Sequence, residues 1–324
     1  DGIRDQPRSR GLGDVYKRQI YDSEIDKETW AFIEKTQSFY SDELLSYSIE
    51  QQRSEYNQMC RAFDTHRQYE LIIKTEEWDT IPVRIYEPQN SMGTLIYFHG
   101  GGFVVGDLDS HHDVCANLAE KSQLRVVSVA YSLAPEHKHP AQFNDAYHAV
   151  QIASNTYPEP LIVAGDSAGG NLAACVCHSL RSTDINLSGQ VLIYPSLGTN
   201  MDSKSFIIHS NAPLLSTKDM LYYKKIRCEN DVPEDDATFA PLNDEDFSNL
   251  PPTIVFTAAC DPLVDDGENY CEKITNSGGL AKWINEAGLV HGYLRARSEV
   301  ARASNSFERI AFAAASLAQK KWPY

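Results

Sequence analysis

Read for its apolar and polar positions, the 324-residue chain changes texture near residue 67. From Asp22 to about Arg67 it is aromatic-rich and polar, with neither Gly nor Pro. Trp30, Ile33, Glu34 and Gln37 recur at helical spacing, as do Leu45, Ile49 and Gln52, which predicts two or three helices. QYELIIKT and IPVRIYEP then predict two strands around a turn near Trp78 to Thr80. Beyond that, short apolar runs alternate with helical patterns. TLIYFH, RVVSVAY, LIVAG, GQVLIYP, TIVFTAA and AKWINEA read as strands. Helices are predicted over Asp113 to Lys121, Phe143 to Asn155, Ala168 to Arg181 and Glu268 to Asn276, with a last one from about Ser298 to Lys320. Buried strands alternating with helices imply a mostly parallel sheet covered on both faces, an α/β architecture.

One segment breaks the alternation. Residues 199 to 230 carry Met201, Phe206, Ile207, Ile208, Leu214, Leu215, Met220, Leu221, Tyr222 and Tyr223 without a clear strand. They are too apolar for a solvent loop and are expected to form a helical excursion over one end of the sheet. The first nineteen residues, five basic and three acidic, lack apolar periodicity and resemble an adapter-derived appendage foreign to the natural protein. They have neither the apolar core of a signal peptide nor the pattern of a transit peptide.

Composition narrows the function classes. A net charge of −16 disfavours binding to nucleic acid or an anionic membrane surface. No apolar run approaches the length needed to span a bilayer. Seven cysteines with no Cys-x-x-Cys argue for buried structural thiols in a reducing, cytoplasmic setting over a disulfide framework. The histidine-rich stretches at 111 to 113 and 136 to 139 lack the partner spacing of a zinc site, so no metal is expected.

Candidate chemistry begins with LIVAGDSAGGNLAA, where Gly165-Asp166-Ser167-Ala168-Gly169 spells G-x-S-x-G between a predicted strand and a predicted helix. That pattern makes a sharp turn exposing the serine, with glycines relieving the crowding around it. The helix start offers the N–H of Ala168 to an anion. A serine nucleophile needs a base, and the base needs an orienting carboxylate. Only His209 and His291 follow Ser167; His209 lies in the excursion, whereas His291 sits in a loop after the last strand with Gly292 beside it. Asp261 falls just past TIVFTAAC, which makes it the favoured acid, with Asp265 in reserve.

With these residues in hand, the chain resembles the hormone-sensitive-lipase-like branch of the α/β-hydrolase carboxylesterases, and within it the bacterial acetyl esterases. HGGGF at 99 to 103, YSLAPEHKHPAQFNDAY at 131 to 147, GDSAGGNLA at 165 to 173, DPLVDDG at 261 to 267 and HGY at 291 to 293 match in order and spacing. Val264, Tyr293 and Ser132 depart from the residues usual there. The resemblance implies an α/β-hydrolase fold with a mostly parallel eight-stranded sheet flanked by helices. It places an N-terminal helical cap over 20–70, the core over 71–198 and 231–324, and a second cap segment over 199–230. It implies short acyl esters, acetyl to about hexanoyl, as substrates, no cofactor, and a homodimer.

In that family the triad would be Ser167, Asp261 and His291. The loop of Gly100, Gly101 and Gly102 would join Ala168 as an oxyanion hole, with Gly101 and Gly102 the leading donors. On this reading the glycines are bare so that substrate can approach, and His99 fixes the loop. Phe103, Tyr194, Leu214 and Leu263 are candidates for the acyl and alcohol pockets. Amide or formamide hydrolysis by the same triad, and a non-catalytic small-molecule receptor, are the competing functions.

Overall fold

The computed structural model describes residues 20–40, 47–157, 160–198, 200–228 and 232–324. The proposed leader at 1–19, and Leu45 among the helical positions, lie outside them. Eight strands form one sheet: β1 (Leu71–Trp78), β2 (Ile81–Pro88), β3 (Thr94–Phe98), β4 (Arg125–Val129), β5 (Leu161–Asp166), β6 (Leu187–Ile193), β7 (Thr253–Cys260) and β8 (Ala281–Val290). Their order is β1-β2-β4-β3-β5-β6-β7-β8. The β1–β2 and β2–β4 pairs are antiparallel, and every later pair is parallel.

Alternation along each strand divides the core into two layers, because successive side chains leave a strand on opposite faces. Leu95 and Tyr97 of β3 pack into one cluster with Val114, Cys115 and Leu118 of helix α3 (His112–Ser122) and Phe307 and Ile310 of α9 (Ala301–Ala318). Ile96 and Phe98 pack into the other, with Ala146 and Val150 of α4 (Ala141–Thr156), Leu172 and Val176 of α5 (Ala168–Leu180), and Tyr270 and Ile274 of α8 (Val264–Asn276). Both faces are dry, which is why the central strands read as unbroken apolar runs.

Before the sheet come α1 (Lys27–Gln37) and α2 (Ile49–Arg61). Helix α1 starts at Asp26, whose carboxylate accepts the Thr29 N–H at 2.8 Å. Helix α2 starts with a reciprocal capping box between Ser48 and Gln51. The excursion after β6 is helical as expected, with α6 (Lys204–Ile208) and α7 (Thr217–Cys228). Two helix starts differ from the sequence reading by more than two residues. Helix α8 begins at Val264, four residues early, because Asp265 and Asp266 sit favourably in its first turn. The last helix begins at Ala301, and residues Tyr293–Ser298 form a separate 3₁₀ turn.

Cys60, Cys115, Cys175, Cys177, Cys260 and Cys271 are buried and Cys228 is half-buried, all as free thiols. Among the described residues, no helix is long and apolar enough to cross a membrane.

Candidate active site

The carboxyl ends of β3, β5, β7 and β8 lie close together in the sheet, and each delivers one part of the site. Strand β5 ends at Asp166, and Ser167 sits on the turn into α5 with φ 55° and ψ −116°. That left-handed conformation is unfavourable for a side-chain-bearing residue and marks a strained, functional turn. The turn fits only because its neighbours carry no Cβ. One added at Gly165 would come 2.4 Å from the Gly169 backbone, and one at Gly169 would come 1.9 Å from the Phe98 carbonyl oxygen.

Strand β8 ends at Val290, so His291 follows it directly, and Gly292 turns the chain away at φ 78°. His291 Nε2 lies 2.9 Å from Ser167 Oγ, and His291 Nδ1 lies 2.7 Å from Asp261 Oδ2. An ionised carboxylate only accepts, so Nδ1 carries the proton toward Asp261 and leaves Nε2 as the acceptor for the serine hydroxyl. Asp261 is fully buried just past β7, and its second oxygen accepts the Leu263 N–H at 2.9 Å. The reserve acid is engaged elsewhere, since Asp265 accepts the Ser205 N–H at 2.9 Å. His209 faces Tyr21, with Nδ1 3.0 Å from its hydroxyl.

The glycine loop after β3 differs from expectation in two ways. Gly100 does not fit the donor role, because its N–H is directed to Asp166 Oδ1 at 2.9 Å. Among the described residues, the N–H groups of Gly101, Gly102 and Ala168 have no protein acceptor. Both glycines share a cavity wall with Ser167 and His291. The reason for three glycines also changes. A Cβ at Gly100 would lie 2.4 Å from Asp166 Oδ2, one at Gly101 2.1 Å from the Val105 carbonyl oxygen, and one at Gly102 2.6 Å from the Tyr223 ring. With φ at +125° for Gly101 and +59° for Gly102, the cramped turn itself excludes side chains before any substrate arrives. His99 does hold this loop: its Nδ1 lies 2.8 Å from the Gly100 carbonyl, and its ring stacks on Tyr131 at 4.3 Å.

Asp166 occupies a variable position of G-x-S-x-G, so the motif gives it no role. It ties three segments together, accepting from Gly100 N–H and from Tyr97 O–H at 2.8 Å, with His111 Nε2 at 3.3 Å. Burial raises its pKa, but His111 and the hydrogen bonds outweigh that and hold the carboxyl well below the usual range. The HHD stretch is taken up by contacts of this kind: His112 meets Tyr86 O–H at 3.1 Å, and Asp113 pairs with Arg297.

Two cavities meet at Ser167. The smaller, about 110 Å³, is lined by Phe103, Leu263, Phe206, Leu215, Tyr223 and Arg227, among others. The larger, about 740 Å³, contains His291, Tyr194 and Leu214, with residues of α1, α2 and the excursion across its mouth. The four pocket candidates therefore divide, with Phe103 and Leu263 in the small cavity and Tyr194 and Leu214 in the large one. Tyr194 also backs the histidine, its ring 4.8 Å from that of His291.

A parallel-dominated sheet with a serine on a strained strand-to-helix turn, facing a histidine and an acid at neighbouring strand ends, defines the α/β-hydrolase class. The sequence matches the family described as alpha/beta hydrolase fold over residues 95–295, and the chain belongs to that family. Within it, its relatives are carboxylic ester hydrolases. It is 37% identical over 231 residues to Carboxylesterase NlhH of Mycobacterium tuberculosis, covering 66% of this chain and 71% of that one. It is 34% identical over 229 residues to Carboxylic ester hydrolase LipN of the same organism, covering 66% of this chain but only 61% of LipN. EstE1, a thermostable carboxylesterase cloned from a metagenomic library, superposes with a TM-score of 0.78 at 32% identity, covering 86% of this chain and 99% of its own.

Proposed function

We propose that the chain is a serine carboxylesterase that hydrolyses short acyl esters through an acyl-enzyme. The observation that carries this reading is the continuous hydrogen-bonded path from Ser167 Oγ through His291 to the buried Asp261. His291 Nε2 takes the hydroxyl proton as Ser167 Oγ attacks the ester carbonyl, while Asp261 holds the imidazole tautomer and stabilises the imidazolium. The free N–H groups of Gly101, Gly102 and Ala168 are the donors available to the developing oxyanion. The proton passes from His291 to the departing alcohol, and water then repeats the sequence in reverse to release the acid.

The two cavities support a division of the ester between them. The leaving oxygen must reach His291 Nε2, so the alcohol lies in the large cavity, which His291 lines. The acyl chain is left to the small cavity, whose wall lacks His291. The small cavity, about 110 Å³ against about 740 Å³ for the large one, favours short acyl chains, from acetyl to about hexanoyl.

A nitrophenyl ester series from acetyl to dodecanoyl tests the reading. The expected result is a peak at or below hexanoyl, with Ser167→Ala reducing turnover by roughly 10⁴-fold or more. A peak at dodecanoyl, or a Ser167→Ala variant as active as the wild type, would overturn it.

A further inference from the structure

The wall of the small cavity contains a cation with no anion to meet it among the described residues. Arg227, near the carboxyl end of α7, is only 3% exposed and lines that cavity together with Ser167, Ala168 and Phe103. Its guanidinium carbon lies 3.6 Å from the centre of the Phe103 ring and 4.3 Å from that of Phe239. Its Nε and Nη2 atoms are buried without a hydrogen-bond partner among the described residues. No carboxylate among the described residues lies within ion-pair distance of it.

The acids nearby are occupied with other groups. Glu234, in the same wall, pairs with Lys224. Asp236 accepts the Thr238 N–H at 2.8 Å and the Thr238 O–H at 2.7 Å, and faces His139 at 3.6 Å. Burial lowers the Arg227 pKa to about 10, so it stays charged at neutral pH. Aromatic faces compensate a desolvated cation in part, but they leave its forked N–H donors unused. Buried charges in proteins are ordinarily paired, because an uncompensated one is costly. Unused guanidinium donors fit a carboxylate two at a time.

We propose that Arg227 binds a free carboxylate at the far end of the acyl chain, so that the preferred substrates are half-esters of short dicarboxylic acids, about the size of succinate. This rests on the serine esterase reading and on the assignment of the small cavity to the acyl group. The chemistry is unchanged. Ser167 Oγ bonds to the ester carbonyl carbon as the bond to the alcohol oxygen breaks, water later replaces Ser167, and the second carboxylate stays ionised and unreacted against Arg227. Succinyl reaches from the carbonyl through two methylenes to its carboxylate, a span suited to so small a cavity.

The test compares monoethyl succinate with ethyl 4-methylpentanoate, which has the same shape but an isopropyl group in place of the carboxylate. Ethanol release is followed for the wild type, Arg227→Met and Arg227→Lys. The wild type is expected to show the higher kcat/KM on monoethyl succinate. In Arg227→Met the ratio of the two kcat/KM values should fall about 30-fold or more, with partial recovery in Arg227→Lys. A wild type that prefers the neutral ester tenfold or more would overturn the proposal, and that result needs no variant to fold. So would an Arg227→Met enzyme whose two rates fall in proportion, which would make Arg227 only a clamp on Phe103. Nitrophenyl acetate separates the levels of failure: turnover of it with rejection of monoethyl succinate sinks this inference alone, whereas inertness toward every ester sinks the esterase reading itself.

Discussion

The floor and the roof of the site are built on different principles. The floor is backbone: Ser167 on a strained turn, a glycine loop beside it, and carboxylate and imidazole at adjacent strand ends. Its parts interlock so closely that a Cβ on Gly169 would strike the carbonyl of Phe98, which precedes the glycine loop, at 1.9 Å. The roof is side chain: α1, α2, α6 and α7 present apolar and aromatic residues to the two cavities. Several roof residues also point outward, with Ile207 62% and Ile208 64% exposed. Close-packed backbone permits one arrangement, whereas apolar contacts of suitable size tolerate exchange. On the serine-esterase reading, the floor carries the reaction and the roof carries selectivity.

The largest expected effect comes from breaking the floor. In Gly101→Ala the new Cβ meets the Val105 carbonyl oxygen at 2.1 Å while φ stands at +125°, so the loop must move and take its N–H donors with it. Loss of one such donor costs about 10² to 10³ in kcat, and this variant should fall at least that far in initial rates on nitrophenyl acetate. Gly278→Ala is the control: it shares a positive φ of +83° but has nothing within 4 Å of the new Cβ, so it tests strain without collision. It should lose stability only and keep its rate. Equal rates for the two variants would dissolve the distinction between the interlocked floor and an ordinary turn.

A smaller effect concerns the floor's stability in acid. Burial, with the nearby His111, lowers the His99 pKa from 6.5 to about 4. Below pH 6.5 the unfolded chain takes up a proton that buried His99 refuses until about pH 4. Stability from this group is therefore complete above pH 6.5 and is lost as pH falls from there to 4, by about 3 kcal/mol. Urea unfolding at pH 7 and 4.5 measures it, and His99→Asn should show a shallower slope between the two. Identical slopes would mean that His99 ionises freely in the folded protein.

The same division governs what could be read from the sequence. The floor was legible because its chemistry demands particular residues at particular places: glycines flanking Ser167, a histidine after the last strand, an acid after β7. The central strands β3 to β7 were legible for a similar reason, since burial on both faces forces continuous apolar runs. What failed was inference about contacts between distant segments. For the glycines at 100 to 102 the sequence points to substrate approach, because nothing local says that Asp166, Val105 and Tyr223 crowd them. Asp166 holds a motif position open to any residue, and Arg227 belongs to no motif, so neither is marked in the sequence. The roof was read as apolar and helical and no further, because apolar packing imposes no fixed spacing that would mark which residues face the cavity.

The roof's own test has the smallest expected effect. Phe206, on α6, is 7% exposed and lines the small cavity, while its neighbour Ile207 faces solvent. Truncation in Phe206→Ala lengthens the cavity without touching Ser167, His291 or a free loop N–H. A buried methylene contributes about 0.8 kcal/mol, so room for two more should shift the preference between octanoyl and butyryl esters about tenfold toward the longer one. Competition assays on a mixture of the two nitrophenyl esters give that ratio directly, free of differences in the amount of folded enzyme. Ile207→Ala should leave it unchanged. If Phe206→Ala instead slowed both esters equally, the roof would be holding the floor in place, and selectivity would have to reside in the turn and strand ends themselves.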